Sequence, residues 1–382
     1  MIYADYNGSA PLSPEVKDYL LNRFEHGPFA NPNAIHYLGT KTLMGMENSR
    51  QICAKLLGAS NDQIIFTSGA TEGISTVFHS VLSNTQKKII ITSGIEHSSV
   101  INTAKYYESL GFILHILPVS TDGVVDLLAL KKIVKDFNNN IALVSIMAAN
   151  NETGVIQPWQ EINKICQENS IPFLCDTTQY IGKVPFNFKD SEIDFAMCSG
   201  HKLGAMTGTG ILLAKDPTLL LPIIIGGGQE KGHRGGTQHY LGNETLAIAL
   251  SAINENFKNI EILAKKRIDF EQKVKSVFPN VVIIGEKANR LATTTYIALP
   301  GIHGQAVQIE LESNDIFVTT SSACSDNMPV TSKVLRAMNV SDDVGRGVVR
   351  ISLGLSTKLE TYDILAVELI KAYQKLSKVK SF

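Results

Sequence analysis

Over the first 250 residues, short apolar runs alternate with longer stretches of helical spacing. The runs fall at 64–66, 89–92, 113–117, 142–147, 173–175, 195–198 and 211–214. They are short, rich in Ile, Val and Leu, and separated by helix-length segments. This spacing predicts βαβ units around a mostly parallel sheet flanked by helices. After about residue 250 the pattern changes. A long charged helix is predicted over 253–277, followed by strands at 281–284, 293–298, 316–319 and 348–352. Helices are predicted near 305–312 and 358–378. This is the signature of a smaller α+β unit, to which the strand and turn read in residues 1–11 are added. The division expected is therefore a large α/β domain at 12–250, with a small domain formed by 1–11 and 251–382. Ser13 and Pro14 suit the N-cap and first position of a helix. A Pro/Asn/Gly-rich loop at 27–36 precedes an amphipathic helix predicted over 41–58.

Composition narrows the class. The 382 residues are 44% hydrophobic and 19% charged, with a net charge of −1. Without a basic field, neither nucleic acid nor a membrane surface is an expected partner. No apolar run approaches the ~20 residues of a membrane span. The first residues enter strand-like sequence at once, so the expected location is the cytoplasm. The five cysteines, Cys53, Cys166, Cys175, Cys198 and Cys324, show neither disulfide-framework nor metal-ligand spacing. The first four lie in apolar segments and read as core residues, whereas Cys324 lies in a stretch of small polar residues.

Chemistry concentrates at the predicted strand ends, where ligands bind in open α/β sheets. The run 173–175 releases Asp176 and Gln179, and the run 195–198 releases Ser199, Gly200, His201 and Lys202. A pyridoxal phosphate enzyme requires a lysine for the Schiff base and a carboxylate to keep the pyridine nitrogen protonated. The alternative is a surface lysine beside a turn. The segment 64–74 passes from strand through Ser68, Gly69 and Ala70 into a helix. It is either an anion site with Thr71 as an added donor or a plain helix start capped by Thr71. Ser199 and His201 are placed to donate to the same anion. His97 is suited to stacking and proton transfer, or to capping. Asn151 would bond a substrate carboxylate or a cofactor oxygen, or belong only to a polar turn. The glycine-rich loop 226–237 is either flexible or a donor-bearing loop carrying Arg234 and Thr237. Arg350 places a charge inside a short strand, aimed at solvent or at a carboxylate. Cys324 is a nucleophile if it reaches the site, and otherwise a free thiol.

Taken in order, the chain resembles the cysteine desulfurases of the class V, fold-type I pyridoxal phosphate enzymes. The motifs are Asp5-Tyr6-Asn7, Asn31-Pro32 with His36, Thr67-Ser68-Gly69-Ala70-Thr71-Glu72, Glu96-His97, Asn150-Asn151-Glu152-Thr153-Gly154, Asp176-Thr177-Thr178-Gln179, Ser199-Gly200-His201-Lys202, the loop 226–237, Ser322-Ala323-Cys324 and Arg350-Ile351-Ser352-Leu353-Gly354. The resemblance implies that Lys202 carries the cofactor and then moves protons, that Asp176 pairs with the ring nitrogen, and that Gln179 bonds the phenolic oxygen. It further implies that His97 stacks on the ring and that Ala70, Thr71, Ser199 and His201 hold the phosphate. Thr237 would reach the phosphate of the other subunit in a homodimer. Asn151 and Arg350 would hold the carboxylate of L-cysteine. Cys324 would take the sulfur as a persulfide, leaving alanine, and pass it to a sulfur-acceptor protein for iron–sulfur assembly, tRNA thiolation or thio-cofactor synthesis. A selenocysteine lyase, an aminotransferase of the same class and a catalytically silent scaffold subunit are the alternatives. The turn Leu203-Gly204-Ala205-Met206-Thr207-Gly208 lacks the family's Pro and Lys, and Gly8-Ser9-Ala10-Pro11 replaces its usual Ala-Thr-Thr-Pro.

Overall fold

The apolar runs form strands. The computed structural model describes residues 1–320 and 331–379. In chain order its strands are β1 (Ile2–Tyr3), β2 (Ile64–Thr67), β3 (Ile89–Ser93), β4 (Ile113–Leu117), β5 (Ile141–Met147) and β6 (Phe173–Asp176). They continue with β7 (Phe195–Ser199), β8 (Gly210–Ala214), β9 (Val282–Ile283), β10 (Thr294–Ala298), β11 (Ile316–Phe317) and β12 (Val348–Ser352). A seven-stranded sheet has the order β2-β8-β7-β6-β5-β3-β4. The strands from β7 to β4 are parallel neighbours, and β8 runs antiparallel to both β7 and β2. β2 therefore points the same way as β7, and the segments that leave β2, β3, β5, β6 and β7 emerge at one edge.

Alternation along each strand divides the core into two faces. Ile89, Ile91, Phe173, Cys175, Ala196, Cys198, Ile211 and Leu213 join one apolar cluster. Their neighbours Ile90, Leu174, Phe195, Met197 and Leu212 join another, closed by Ile74, Val77 and Phe78 of the helix Ala70–Ser83. With both faces covered, these strands read as unbroken apolar runs. Cys53, Cys166, Cys175 and Cys198 are buried and unpaired, as expected, and burial pushes the Cys198 thiol up to about 12.

A third cluster joins Ala4 to Ile297, Val349, Ile351, Leu365 and Leu369. It lies against the antiparallel sheet β12-β10-β9 and the parallel pair β1-β11. A bridge between Asp5 and Ser352 lays the first residues of the chain alongside β12.

Ser13 caps the helix Pro14–His26, accepting from the N–H of Val16 at 3.2 Å. Two helix expectations need correction. The helix expected at 41–58 runs Tyr37–Leu57, because the His36 ring accepts from the N–H of Gly39 and caps it earlier. The single helix expected at 253–277 is two, Tyr240–Asn256 and Ile260–Val277, parted by the 3₁₀ turn Phe257–Asn259. Asn259 there donates to the Leu355 carbonyl (3.0 Å) and fixes the break. The Tyr240–Asn256 helix buries every residue from Gly242 to Leu250 except Ile248, so it has no amphipathic stripe to betray it. Among the described residues, no helix is long and apolar enough to cross a membrane, and no acidic, His or Cys cluster has the makings of a metal site.

Candidate active site

The edge where the parallel strands end opens into a cavity of about 660 Å³. Asp176 is the last residue of β6, buried, and accepts from the N–H of Thr178 at 3.0 Å. Lys202 ends the one-turn 3₁₀ helix that follows β7, and its Nζ donates to the carbonyls of Asn7 (2.8 Å) and Gly8 (2.5 Å). Both line the cavity, as does Gln179, whose Nε2 donates to the same Asn7 carbonyl at 2.9 Å.

One end of the cavity is a neutral anion cradle. The helix Ala70–Ser83 starts there with Gly69 as N-cap and no side-chain cap, so Thr71 is not the cap and the helix start has the N–H groups an anion site needs. Gly69 adopts φ +152°, and a Cβ on it would stand 3.1 Å from Ser199 Oγ, closing the cradle. Ser199 Oγ lies 3.5 Å from the Ala70 nitrogen. His201 Nδ1 lies 3.3 Å from Ser9 Oγ. Burial, helped by the Lys202 charge, drives the His201 pKa down to about 4, so its ring is neutral near pH 7. Glu72 would repel an anion, but its carboxylate accepts from the N–H of Ser68 (2.8 Å) and from Arg234 (3.1 Å).

The opposite end carries full charge. Arg350 on β12 is buried. Its Nη1 donates to the Asn151 carbonyl (2.9 Å) and its Nη2 to Asp5 Oδ1 (2.6 Å). Asn7 links the surrounding pieces: its Nδ2 donates to the Asn151 carbonyl and to Thr294 Oγ1, each at 3.1 Å, and its N–H to Ser352 Oγ at 3.0 Å.

His97 also lines the cavity. Its Nδ1 accepts from the N–H of Ser99 (3.2 Å) and caps the helix Ser98–Ser109, so capping and cavity lining coexist in one ring. Enclosure lowers its pKa, Lys202 adds to the lowering, and Asp176 opposes it. Behind it Glu96 is buried, with Oε1 accepting from Ser93 Oγ (2.5 Å) and the N–H of Met147 (3.1 Å) and Oε2 unpartnered. Burial raises its pKa to about 8.

Residues 2–365 match the family model described as Aminotransferase class-V. The cysteine desulfurase IscS of Dictyoglomus turgidum is 35% identical, over 100% of this chain and 96% of that protein. The chain belongs to the cysteine desulfurase family. Among solved structures, a NifS-like protein is 32% identical with a TM-score of 0.90, over 98% of this chain and 100% of that one. A second, SspA in complex with cysteine, is 29% identical with a TM-score of 0.80, over 94% of this chain and 100% of that one.

In this member of the cysteine desulfurase family, Ala70, Thr71, His97, Asn151, Asp176, Gln179, Ser199, His201, Lys202 and Arg350 all face one cavity. Thr237 is exposed on its loop and does not line it. Cys324 lies outside the described residues. The unusual turn 203–208 is tied down in its own way. Leu203 and Ala205 are buried, both N–H groups donate to the Gly200 carbonyl, and the N–H of Met206 donates to Thr245 Oγ1 at 3.2 Å. Gly204 takes φ +81° against the Pro11 carbonyl, where a Cβ would come within 3.0 Å. Three further site residues of this desulfurase carried no role in the sequence reading: Asp5, Asn7 and Lys183. Lys183 left one signal, a lone cation in the apolar stretch 180–186, four residues after Gln179.

Proposed function

We propose that this chain is a pyridoxal phosphate-dependent cysteine desulfurase that converts L-cysteine to L-alanine and takes the sulfur onto Cys324 for an acceptor protein. The observation that carries this reading is the convergence of Lys202 and Asp176 on one cavity, between a neutral anion cradle and a guanidinium. The residues fit the cofactor. The cradle, which a Cβ at Gly69 would fill, suits its phosphate, and Ala70, Thr71, Ser199 and His201 would hold it. The Asp176 carboxylate suits the ring nitrogen, the Gln179 amide the phenolic oxygen, and the His97 ring one face. Bound there, the cofactor supplies an electron sink that makes the substrate's C–S bond labile.

The chain's own groups do the rest. Lys202 Nζ, held by the Asn7 and Gly8 carbonyls, would tether the cofactor and then move the proton at the substrate α-carbon. Arg350, with Asn151, would hold the substrate carboxylate. The Cys324 thiolate would attack the substrate sulfur, so that an S–S bond forms as the C–S bond breaks. The carbon is protonated and reduced while sulfur is oxidised. L-cysteine and the Cys324 thiol thus give L-alanine and a Cys324 persulfide. Thr237, exposed on its loop, would serve the phosphate of a second copy.

The test is borohydride reduction of the purified protein with peptide mass mapping, alongside alanine production from cysteine. A pyridoxyl adduct on Lys202 and alanine formation are expected. No adduct would sink the cofactor assignment, and an adduct without alanine would turn the reading towards another class-V reaction. Cys324→Ser should keep the adduct and lose alanine release, and normal turnover by that variant would remove Cys324 from the reaction.

A further inference from the structure

Lys183 is buried behind the cavity, and its Nζ donates to Asn7 Oδ1 (2.5 Å) and to Gln179 Oε1. A lysine nitrogen in its charged form only donates, so both amides must turn their oxygens towards it. Their amino groups then point the other way. Gln179 Nε2 meets the Asn7 carbonyl at 2.9 Å, and Asn7 Nδ2 meets the Asn151 carbonyl and Thr294 Oγ1. Each oxygen of the two amides meets a donor and each nitrogen an acceptor, so the polarity is self-consistent.

We propose that Lys183 is a positioning residue that locks the Gln179 and Asn7 amides, so that Gln179 offers an N–H and not a carbonyl to the cofactor's ring oxygen. This rests on the pyridoxal phosphate reading above. A freely flipping Gln179 would place its carbonyl against an oxygen that carries negative charge, which is repulsive. The lock does not depend on the charge of Lys183. Burial drives its pKa well down, with Lys202 and Arg350 adding to the shift and Asp5 opposing it. A neutral amine still has two N–H groups for the two amide oxygens. Its lone pair, which could accept from a flipped amide, is opposed by the acceptors that already hold the amide nitrogens, the Asn7 carbonyl on Gln179 Nε2 and the Asn151 carbonyl on Asn7 Nδ2. The same lock holds Asn7, whose backbone carbonyl receives Lys202.

The test compares wild type with Lys183→Met, which keeps the length of the side chain and leaves the Asn7 and Gln179 amide oxygens without their shared donor. In the apo protein labelled with ¹⁵N at glutamine side chains, the Gln179 amide pair is identified by its loss in Gln179→Glu. That pair should shift in Lys183→Met and exchange with water about tenfold faster, as expected for one lost hydrogen bond. In the loaded protein, the midpoint of the cofactor's absorbance change with pH should move by about one unit. In a Gln179→Leu background, Lys183→Met should move it no further. Lys183→Gln, which keeps an N–H donor, should give an intermediate shift, and it serves in place of the Met variant if that fails to fold. An unchanged Gln179 amide, or an equal spectral shift in the Gln179→Leu background, overturns the proposal. A wild type that takes up no cofactor would instead overturn the pyridoxal phosphate reading, with the amide measurement still deciding the lock.

Discussion

The two ends of the cavity are made of opposite materials. At the cradle, the donors are the backbone N–H of Ala70 and the hydroxyl of Ser199, set by the ends of β2 and β7, the two strands that flank β8 in one sheet. Neither carries a charge, and Glu72, the acid closest to them in sequence, is already held by Arg234. At the other end Arg350 carries a full charge and rests on Asp5, from a segment 345 residues earlier in the chain. Among the described residues the cradle holds no charged partner, only the long Ala70 to Ser199 contact, so it suits a resident group. The guanidinium already has a carboxylate, so an incoming carboxylate must share or replace it, which suits a substrate that comes and goes.

Substitutions that act on one end only would break this comparison. The largest effect is expected from Arg350→Gln, which should raise the KM for cysteine about 10²-fold, the cost of truncating one member of a buried charge pair. Retention of the cofactor on dialysis should stay near wild type. A KM within error of wild type would place the carboxylate elsewhere. Ser199→Ala should do the reverse, with the cofactor leaving the dialysed protein about tenfold faster and the KM for cysteine little changed. Asp5→Asn is the finest test. It keeps an oxygen for Arg350 but removes the competing charge, and it should lower the KM about threefold, the scale of a partly exposed ion pair. A rise in KM would make Asp5 an orienting partner and not a competitor.

What the sequence revealed followed the reach of local pattern. Asp176 and Lys202 were legible because each closely follows an apolar run whose period and length mark a strand, and strand ends are where α/β sheets hold ligands. The cradle was legible up to a point: the small residues before Thr71 signalled a helix start. Only the structure removed the Thr71 cap, through a helix start without a side-chain cap and the approach of Ser199 from β7. Lys183 and Asp5 were opaque because their meaning lies in who surrounds them. A lysine among apolar residues is ordinary until two amide oxygens are found on it, and no periodicity pairs residue 5 with residue 350. The break at Phe257–Asn259 was hidden for the same reason, since its anchor is the Leu355 carbonyl.

The place of Asp5 and Asn7 has a consequence for biosynthesis. They leave the ribosome 287 to 345 residues before their partners Thr294, Arg350 and Ser352. During translation at ~5–20 residues per second, the seven-stranded sheet is complete in sequence well before Arg350 exists. The contacts of Asp5 with Arg350 and of Asn7 with Ser352 must therefore wait for β12, while those of Asn7 with Gln179, Lys183 and Lys202 can form before it. Contacts of such long separation are the slow ones to form. A nascent chain halted before β12 would have Lys202 and the Ala70 helix start, but not the Arg350 guanidinium that faces the same cavity.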